Sequence, residues 1–139
     1  MHKSKATILV VDDDHALRTV VARKMEAEGY DCVTAANGRE ALEKIAEQSF
    51  DLVLLDMKMP GPSGMDVLPR IIANYPDTGV VMVTAVADTQ TAVEVMKMGA
   101  CDYVTKPFNL EDLNMRVEKA LERRRLAREN RHHRQSQAK

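Results

Sequence analysis

Short, mostly apolar runs alternate along the chain with segments in which apolar residues recur every three or four positions. The runs cover residues 8–11, 32–35, 52–55, 80–83 and 102–104. A short apolar run that stops abruptly is typical of a strand buried on both faces. The pattern therefore predicts five buried strands.

A helical period follows each of these runs. Asp14, Asn37 and Asn109 stand where a helix N-cap is expected, and Gly29 and Gly99 stand where the first and fourth helices should end. Five strand–helix units joined by short loops predict an α/β protein with a doubly wound parallel sheet and helices on both of its faces.

Pro69 falls inside the third predicted helix, beyond its first turn. Apolar residues keep the helical period on both sides of it, at Met65, Leu68, Ile71 and Ile72. Because proline has no amide hydrogen, we expect a kink or a lost hydrogen bond at this position.

Polar residues with matching chemistry follow four of the five predicted strands. Asp12 and Asp13 follow the first strand, Asp56 the third, Thr84 the fourth and Lys106 the fifth. The carboxyl ends of parallel strands lie at one edge of a sheet, where open α/β proteins bind their ligands. If the strand order is 2-1-3-4-5, the first and third strands are neighbours, and Asp12, Asp13 and Asp56 should converge.

Three converging carboxylates need a cation. Two like charges about 4 Å apart repel by roughly 4 kcal/mol at an effective dielectric near 20. An all-oxygen cluster open to water suits Mg²⁺. With a lysine ammonium and a threonine hydroxyl nearby, an aspartate such as Asp56 can accept a phosphoryl group. One aspartate after a strand is usually a turn or capping residue, but this combination favours the functional interpretation.

Composition narrows the class of protein. With 139 residues, 45% apolar and 29% charged, the chain fits a single globular domain. No apolar run approaches membrane-span length and the start lacks a signal peptide's apolar region, so we expect a cytoplasmic protein without membrane contacts. Cys32 and Cys101, each within a predicted strand, are interpreted as buried, reduced thiols, and a disulfide between them stays open.

Positive charge is concentrated near the C-terminus. Residues 116–134 carry eight Lys or Arg and three Glu, in a chain whose net charge is −1. Because the acids are interspersed and the helical period persists, we interpret this segment as a solvated helix face and expect no direct nucleic-acid binding. Residues 135–139 are polar and are expected to be disordered.

Four motifs resemble those of the receiver domain of two-component response regulators. They are Ile8-Leu-Val-Val-Asp12-Asp13-Asp14, Leu54-Leu-Asp56-Met-Lys-Met-Pro60-Gly61-Pro-Ser-Gly64, Val83-Thr84-Ala85 and Tyr103-Val-Thr-Lys106-Pro107-Phe108. They occur in the order and spacing of that family and span about residues 5–122. The resemblance implies a flavodoxin-like (βα)5 fold with strand order 2-1-3-4-5.

The resemblance also implies roles for the acidic residues. Asp56 would take a phosphoryl group from a phosphohistidine of a sensor histidine kinase. Asp13 would bind Mg²⁺ directly and Asp12 largely through water, with Asp56 and the carbonyl of Lys58 as further ligands. Such a domain is a switch with weak self-catalysed phosphotransfer and dephosphorylation, and not an enzyme in the usual sense.

Three further residues would complete the switch. Lys106 would bridge to the phosphoryl group, Thr84 would be drawn to it, and Tyr103 would turn inward behind Thr84. In the family the bond that corresponds to Lys106–Pro107 is commonly cis. The expected output surface consists of the fourth helix, the fifth strand and the fifth helix, where a homodimer is one expected assembly.

The C-terminal segment points to a longer regulator. We divide the chain into a receiver domain, residues 1–122, and a helical extension with a polar tail, residues 123–139. The extension resembles the linker helix between a receiver and the AAA+ ATPase domain of enhancer-binding transcription activators, which implies transcription regulation. It is a second candidate for dimer contacts, although Arg124 interrupts its coiled-coil seam. The alternative is a stand-alone receiver with a long frayed helix.

Two other functions stay open from the residues alone. A phosphatase of the haloacid dehalogenase type would use Asp12 and Asp14 as a D-x-D motif, but the late acidic pair of that family is missing and Asp56 would have no role. A flavodoxin-like nucleotide-binding module would need a Gly-rich phosphate loop after the first strand, where none occurs.

Overall fold

Five parallel strands form the centre of the molecule in a computed structural model that describes residues 4–85 and 89–137. The strands are β1 (Thr7–Val11), β2 (Asp31–Ala35), β3 (Leu52–Asp56), β4 (Gly79–Thr84) and β5 (Asp102–Thr105). They pair in the order β2-β1-β3-β4-β5. The predicted fold class and the strand order implied by the resemblance are confirmed.

In the described part of the chain, five helices alternate with the strands and cover both faces of the sheet. They are α1 (His15–Ala27), α2 (Gly38–Glu47), α3 (Gly64–Asn74), α4 (Thr89–Lys97) and α5 (Leu110–Gln137). Helices α2, α3 and α4 bury side chains in one apolar cluster, and α1 and α5 do so in a second. Successive β1 residues alternate between them, since Ile8 joins the second cluster and Leu9 the first. No helix in the described part of the chain combines the length and apolarity that a membrane crossing requires.

Local hydrogen bonds fix where the helices begin. The side chains of Asp14, Asn37 and Asn109 each accept a backbone amide two or three residues further on, at 3.2, 2.8 and 2.7 Å. These bonds satisfy amides that have no partner inside the helix, and they confirm the three predicted caps. Gly29 and Gly99 follow α1 and α4 with φ angles of 100° and 110°, in the region that favours glycine.

The two cysteines lie at opposite edges of the sheet. Cys32 is in β2 and Cys101 directly precedes β5, so the sequence-based placement of Cys101 inside a strand is wrong by one residue. Both are free and only partly buried, because edge strands have a neighbour on one side. Four strand spacings of about 4.8 Å separate the two edge strands, whereas disulfide-bonded residues have Cα atoms within about 7 Å. The disulfide that the sequence left open is therefore excluded.

Helix α5 extends beyond the body of the domain. Leu113, Val117 and Ala120 are buried against the sheet. One turn further, Nη2 of Arg124 donates a hydrogen bond to the carbonyl of Pro76, in the loop between α3 and β4. Gly79 makes room for this contact, since a Cβ there would lie 3.0 Å from Cγ of Arg124. Arg124 thus packs on the body of the domain.

The tail expected to be disordered is helical as far as Gln137, the last residue of α5. No Gly or Pro occurs between Leu110 and Gln137, so nothing in the sequence stops the helix. The expectation for residues 135–137 is wrong for this reason, and residues 138–139 lie outside the described part of the chain.

Candidate functional site

Three carboxylates meet at the carboxyl edge of the sheet, where β1 and β3 end side by side. Val11 pairs with Leu55 in register, so the residues that follow them are neighbours. Oxygens from Asp12, Asp13 and Asp56 all lie within 4.8 Å of one another. The structure therefore brings together the three acids that the sequence placed at one sheet edge.

Asp56 is almost completely buried, with 4% of its surface exposed. Burial, and then the charge of Asp12, raises the pKa of Asp56 to about 6. Lys106 and the backbone amide of Lys58 act in the opposite direction by stabilising the charged carboxylate. Asp56 is therefore mostly ionised at neutral pH, although its charge is costly.

Lys106 lies between the two buried acids. Its Nζ is 3.0 Å from Oδ2 of Asp12 and 3.4 Å from Oδ2 of Asp56. Burial lowers the pKa of Lys106, but the bond to Asp12 and the charges of both acids outweigh it, so the pKa is raised. Lys106 therefore stays charged. The peptide bond from Lys106 to Pro107 is cis, as the resemblance implied.

Asp12 and Asp13 differ in how firmly they are held. Oδ1 of Asp12 accepts the Asp14 amide at 2.9 Å, its Oδ2 faces Lys106, and its carbonyl accepts Nη1 of Arg18 at 2.7 Å. Asp13 is exposed. Of the two acids after β1, Asp13 therefore has the more accessible carboxylate.

The loop after β3 packs tightly on Asp56. A Cβ on Gly64, the first residue of α3, would lie 2.3 Å from the carbonyl oxygen of Asp56. The Gly64 amide also donates to the carbonyl of Met57 at 2.9 Å. Only a residue without a side chain fits this close approach, so Gly64 fixes the peptide that carries the candidate phosphoacceptor.

The remaining predicted residues lie on β4, β5 and the β3–α3 loop. Thr84 ends β4 and is buried, and its carbonyl accepts the Lys106 amide at 2.6 Å. Lys58 is exposed. The side chain of Tyr103 on β5 is 36% exposed and is not turned into the protein. Thr84 and Lys58 therefore border the site, whereas the Tyr103 side chain faces solvent.

The donor set fits a divalent cation. Three carboxylates and one ammonium leave a net charge of −2 among groups that lie within a few ångströms of one another. Oxygen donors that are partly open to water match the preference of Mg²⁺, which keeps several waters and binds few protein carboxylates. The residues present therefore fit the predicted Mg²⁺ ion.

Sequence reasoning missed Arg18. Its guanidinium reaches back from α1 to the carbonyl of Asp12 and also lies 3.0 Å from Nδ1 of His15. Its position in the sequence could have indicated this contact, because a long side chain in the first turn of α1, six residues after Asp12, can reach back to the end of β1. No short motif marks it.

Comparison with known proteins identifies the family. The family model described as the response regulator receiver domain matches residues 8–118. The chain belongs to this family. Receiver domains are phosphoacceptor switches rather than dedicated enzymes; they take phosphoryl groups from histidine kinases and bind Mg²⁺ through an acidic pocket. The receiver domain predicted from the sequence is confirmed, and the phosphatase and nucleotide-binding alternatives are set aside.

Relatives of this receiver domain include transcription regulators. The chain is 38% identical over 125 residues to regulatory protein AtoC of Escherichia coli, covering 90% of this chain and 27% of AtoC. It is 37% identical to the DNA-binding transcriptional regulator NtrC of the same organism, covering 84% of this chain and 25% of NtrC. The chain thus spans about a quarter of the length of these relatives.

Solved structures show the same architecture. A CheY-like receiver domain from Methanospirillum hungatei superposes with a TM-score of 0.83 at 33% identity, covering 87% of this chain and 97% of that one. NtrX from Brucella abortus, in a complex with ADP, gives a TM-score of 0.88 at 34% identity, covering 96% of this chain and 30% of NtrX.

Proposed function

We propose that Asp56 accepts a phosphoryl group from a phosphohistidine of a sensor histidine kinase and that its phosphorylation switches an output. The observation that carries this proposal is the burial of the Asp56 carboxylate beside Lys106 and the acidic pair Asp12 and Asp13. A buried carboxylate with a raised pKa, one cation and further acids is typical of a reactive site.

The transfer uses the ionised form of Asp56. A carboxylate oxygen attacks phosphorus and a P–O bond forms as the P–N bond to the donor imidazole breaks. The imidazole leaves with the electron pair of that bond and takes up a proton. Lys106 balances charge on the phosphoryl oxygens, and Thr84 donates a hydrogen bond to one of them.

Four residues would hold Mg²⁺ in this scheme. Asp13 and Asp56 supply carboxylate oxygens, Lys58 supplies its carbonyl, and Asp12 acts largely through water. When bound, the ion neutralises charge on the transferring oxygens. The net charge of −2 in the site supports this assignment.

Phosphorylation would act on the rest of the domain through charge. The group adds about −1.5 to −2 charges at pH 7. We propose that Thr84 moves toward the phosphoryl group and that the outward-facing Tyr103 turns inward behind it. The domain signals because its two conformations bind the phosphoryl group unequally.

Labelling with acetyl phosphate tests the acceptor. The protein is incubated with acetyl phosphate and MgCl2, and the phosphoryl group is mapped by mass spectrometry. We expect a long-lived label on Asp56 in the wild type. No label should form on Asp56→Asn, or on the wild type when EDTA removes Mg²⁺ before acetyl phosphate is added. Lys106→Met should be labelled at least about tenfold more slowly than the wild type, because the positive charge of the Lys106 ammonium is lost.

A matched substitution controls for non-specific effects. Asp31, an exposed carboxylate at the start of β2, is replaced by Asn. Asp31→Asn should label like the wild type. A stable label on Asp12, or turnover of many acetyl phosphate molecules without a label on Asp56, would contradict the proposed role.

The output belongs to a longer regulator in this proposal. Residues 1–122 act as the receiver domain and residues 123–139 as a helical linker to a domain that regulates transcription. The match to NtrX supports it, because three structures of that longer protein align with 96%, 89% and 89% of this chain, against 87% for the isolated receiver domain above. The relatedness to NtrC and AtoC supports the same output.

Self-association is proposed at one of two surfaces. The α4–β5–α5 surface exposes the apolar side chains of Val93, Met96 and Tyr103, at 46%, 42% and 36%. The extension of α5 is the other candidate. Molar mass measured by light scattering, with and without acetyl phosphate, should show a dimer that Met96→Lys or removal of residues 123–139 abolishes. A monomer under all conditions contradicts both.

A further inference from the structure

Gly38, the first residue of α2, touches the loop that follows Asp56. A Cβ built on Gly38 would lie 2.4 Å from the carbonyl oxygen of Pro62 and 3.0 Å from Cγ2 of Val67. Real Cβ atoms do not come within 3.0 Å of another atom, so a side chain at residue 38 forces a movement. The nearest atom belongs to the backbone, and it moves only if the loop or α2 moves.

Backbone conformation does not explain the glycine. Positive φ angles occur at Gly29, Gly61 and Gly99 but not at Gly38. An alanine could therefore adopt the backbone of residue 38, and alanine is the better helix former. The glycine is needed because any Cβ atom at residue 38 would collide with the carbonyl oxygen of Pro62.

The loop that Gly38 touches carries groups of the site. The backbone amide of Lys58 lowers the pKa of the Asp56 carboxyl and so favours its charged form. At the far end of the loop, Ser63 caps α3 and Gly64 packs against the carbonyl of Asp56. Residues 57–63 are thus held between the start of α2 on one side and the backbone of Asp56 on the other.

We propose that Gly38 is a positioning residue for phosphorylation, because its missing side chain lets α2 pack against the loop that carries Lys58 and holds the backbone of Asp56 in place. The inference rests on the proposed role of Asp56 as phosphoacceptor. Gly38 lies on a helix that carries none of the predicted site residues, so this role adds α2 to the parts that shape the site.

The test separates positioning from stability. Gly38→Ala and wild type are labelled with acetyl phosphate over a range of MgCl2 concentrations, and their melting temperatures are measured. We expect the labelling rate at saturating Mg²⁺ and acetyl phosphate to fall about tenfold, because small misplacements of reacting groups are costly. The Mg²⁺ concentration for half-maximal rate should rise about threefold, because the Lys58 carbonyl moves with the loop.

Ala41→Gly is the matched control. Ala41 is fully buried in α2, and glycine there removes a methyl group and lowers helix propensity without adding an atom near the loop. Ala41→Gly should melt at a lower temperature than the wild type and keep its labelling rate and Mg²⁺ dependence. Gly38→Ala with both of these values unchanged overturns the inference, whatever its melting temperature.

Two further outcomes are distinguishable. Absence of a label on wild-type Asp56 refutes the proposed function itself, with Gly38→Ala then equally unlabelled. If Gly38→Ala does not fold, Pro62→Gly tests the same contact from the loop side, because it removes the ring that fixes the backbone of residue 62 and packs near Gly38. A wild-type labelling rate in folded Pro62→Gly overturns the inference, and a slower rate supports it.

Discussion

Asp56 carries its negative charge in a buried position, where an ionised carboxylate destabilises the folded protein. Its environment consists of a buried strand end, the neighbouring carboxylate of Asp12 and a single ammonium from Lys106. Sequence reasoning found all three residues, because strand ends in a parallel sheet share one edge. It could not show that Lys106 lies closer to Asp12 than to Asp56, nor that Arg18 braces Asp12, since both depend on side-chain paths across the fold.

Replacing Asp56 by Asn should stabilise the protein at pH 7.5 in buffer containing EDTA. The unfolded carboxyl has a lower pKa than the folded one, which is about 6, so the folded state binds more protons between these values. The stability of the wild type therefore falls as the pH rises from the pKa of the unfolded carboxyl through that of the folded one. Asparagine does not ionise, so Asp56→Asn does not lose stability in this way. We expect a gain of roughly 1–3 kcal/mol at pH 7.5, at about 1.4 kcal/mol per unit of pKa.

Thermal unfolding over a pH series checks this expectation. The gain should shrink toward pH 4, where the wild-type carboxyl is protonated. Asp31→Asn, at an exposed position, should change stability by less than about 0.5 kcal/mol. A lower melting temperature for Asp56→Asn than for the wild type at pH 7.5 would show that the buried charge is not destabilising.

The strands follow from the local pattern to within one residue at each end. The apolar run 52–55 became β3, Leu52–Asp56, because four apolar residues in a row can be buried only at the centre of the sheet. The face of a helix was harder to assign. Val20 keeps the apolar period of α1 and yet is 46% exposed, because the sheet covers only part of the stripe.

Helix α3 shows that packing can outweigh propensity. It runs from Gly64 to Asn74 through Pro69, with a capping box at Ser63 and Asp66. The hydrogen bond from residue 69 is lost, as predicted, because proline has no amide hydrogen. Val67, Leu68 and Ile71 are fully buried, and their burial maintains the helix despite the loss.

Pro69→Ala should therefore raise the free energy of unfolding by roughly 1–2 kcal/mol. Alanine favours the helix more than proline does, but part of this gain is lost because the unfolded chain becomes more flexible. Urea unfolding measures the change. Arg70→Ala, at the next exposed helical position, should shift stability by less than about 0.5 kcal/mol. If Pro69→Ala is less stable than the wild type, Pro69 stabilises the protein by more than the missing backbone hydrogen bond costs, and this explanation of α3 is wrong.

At the scale of the whole molecule, the sequence indicated strand–helix alternation but not the strand order, which came from the family resemblance. Alternation alone leaves several parallel orders open. The path of α5 was also beyond the sequence. Arg124 looked like an interruption of a coiled-coil seam, whereas it bonds to the Pro76 carbonyl and passes over Gly79. Only the tertiary structure could reveal a carbonyl 48 residues away as its partner.

Arg124→Met should loosen the start of the extension. The hydrogen bond to Pro76 is lost, so peptides covering residues 120–127 should exchange amide hydrogens about fivefold faster. Arg125→Met changes the charge equally, but Arg125 pairs with Glu122 and Glu129 on its own helix. It should therefore have the smaller effect in mass-spectrometric hydrogen exchange. Equal exchange in the two variants would mean that Arg124 does not hold α5 to the body.

Strand β4 joins the two ends of the domain. Gly79 begins it beneath Arg124, and Thr84 ends it next to the segment of Lys106. Six residues of strand span about 17–20 Å. A domain attached after α5 would therefore follow a helix that leaves the receiver at the end opposite Asp56. In the proposed scheme, a displacement of strands or helices across the sheet is one route by which phosphorylation of Asp56 would reach such a domain, and the stiffness of the sheet would then contribute to signalling.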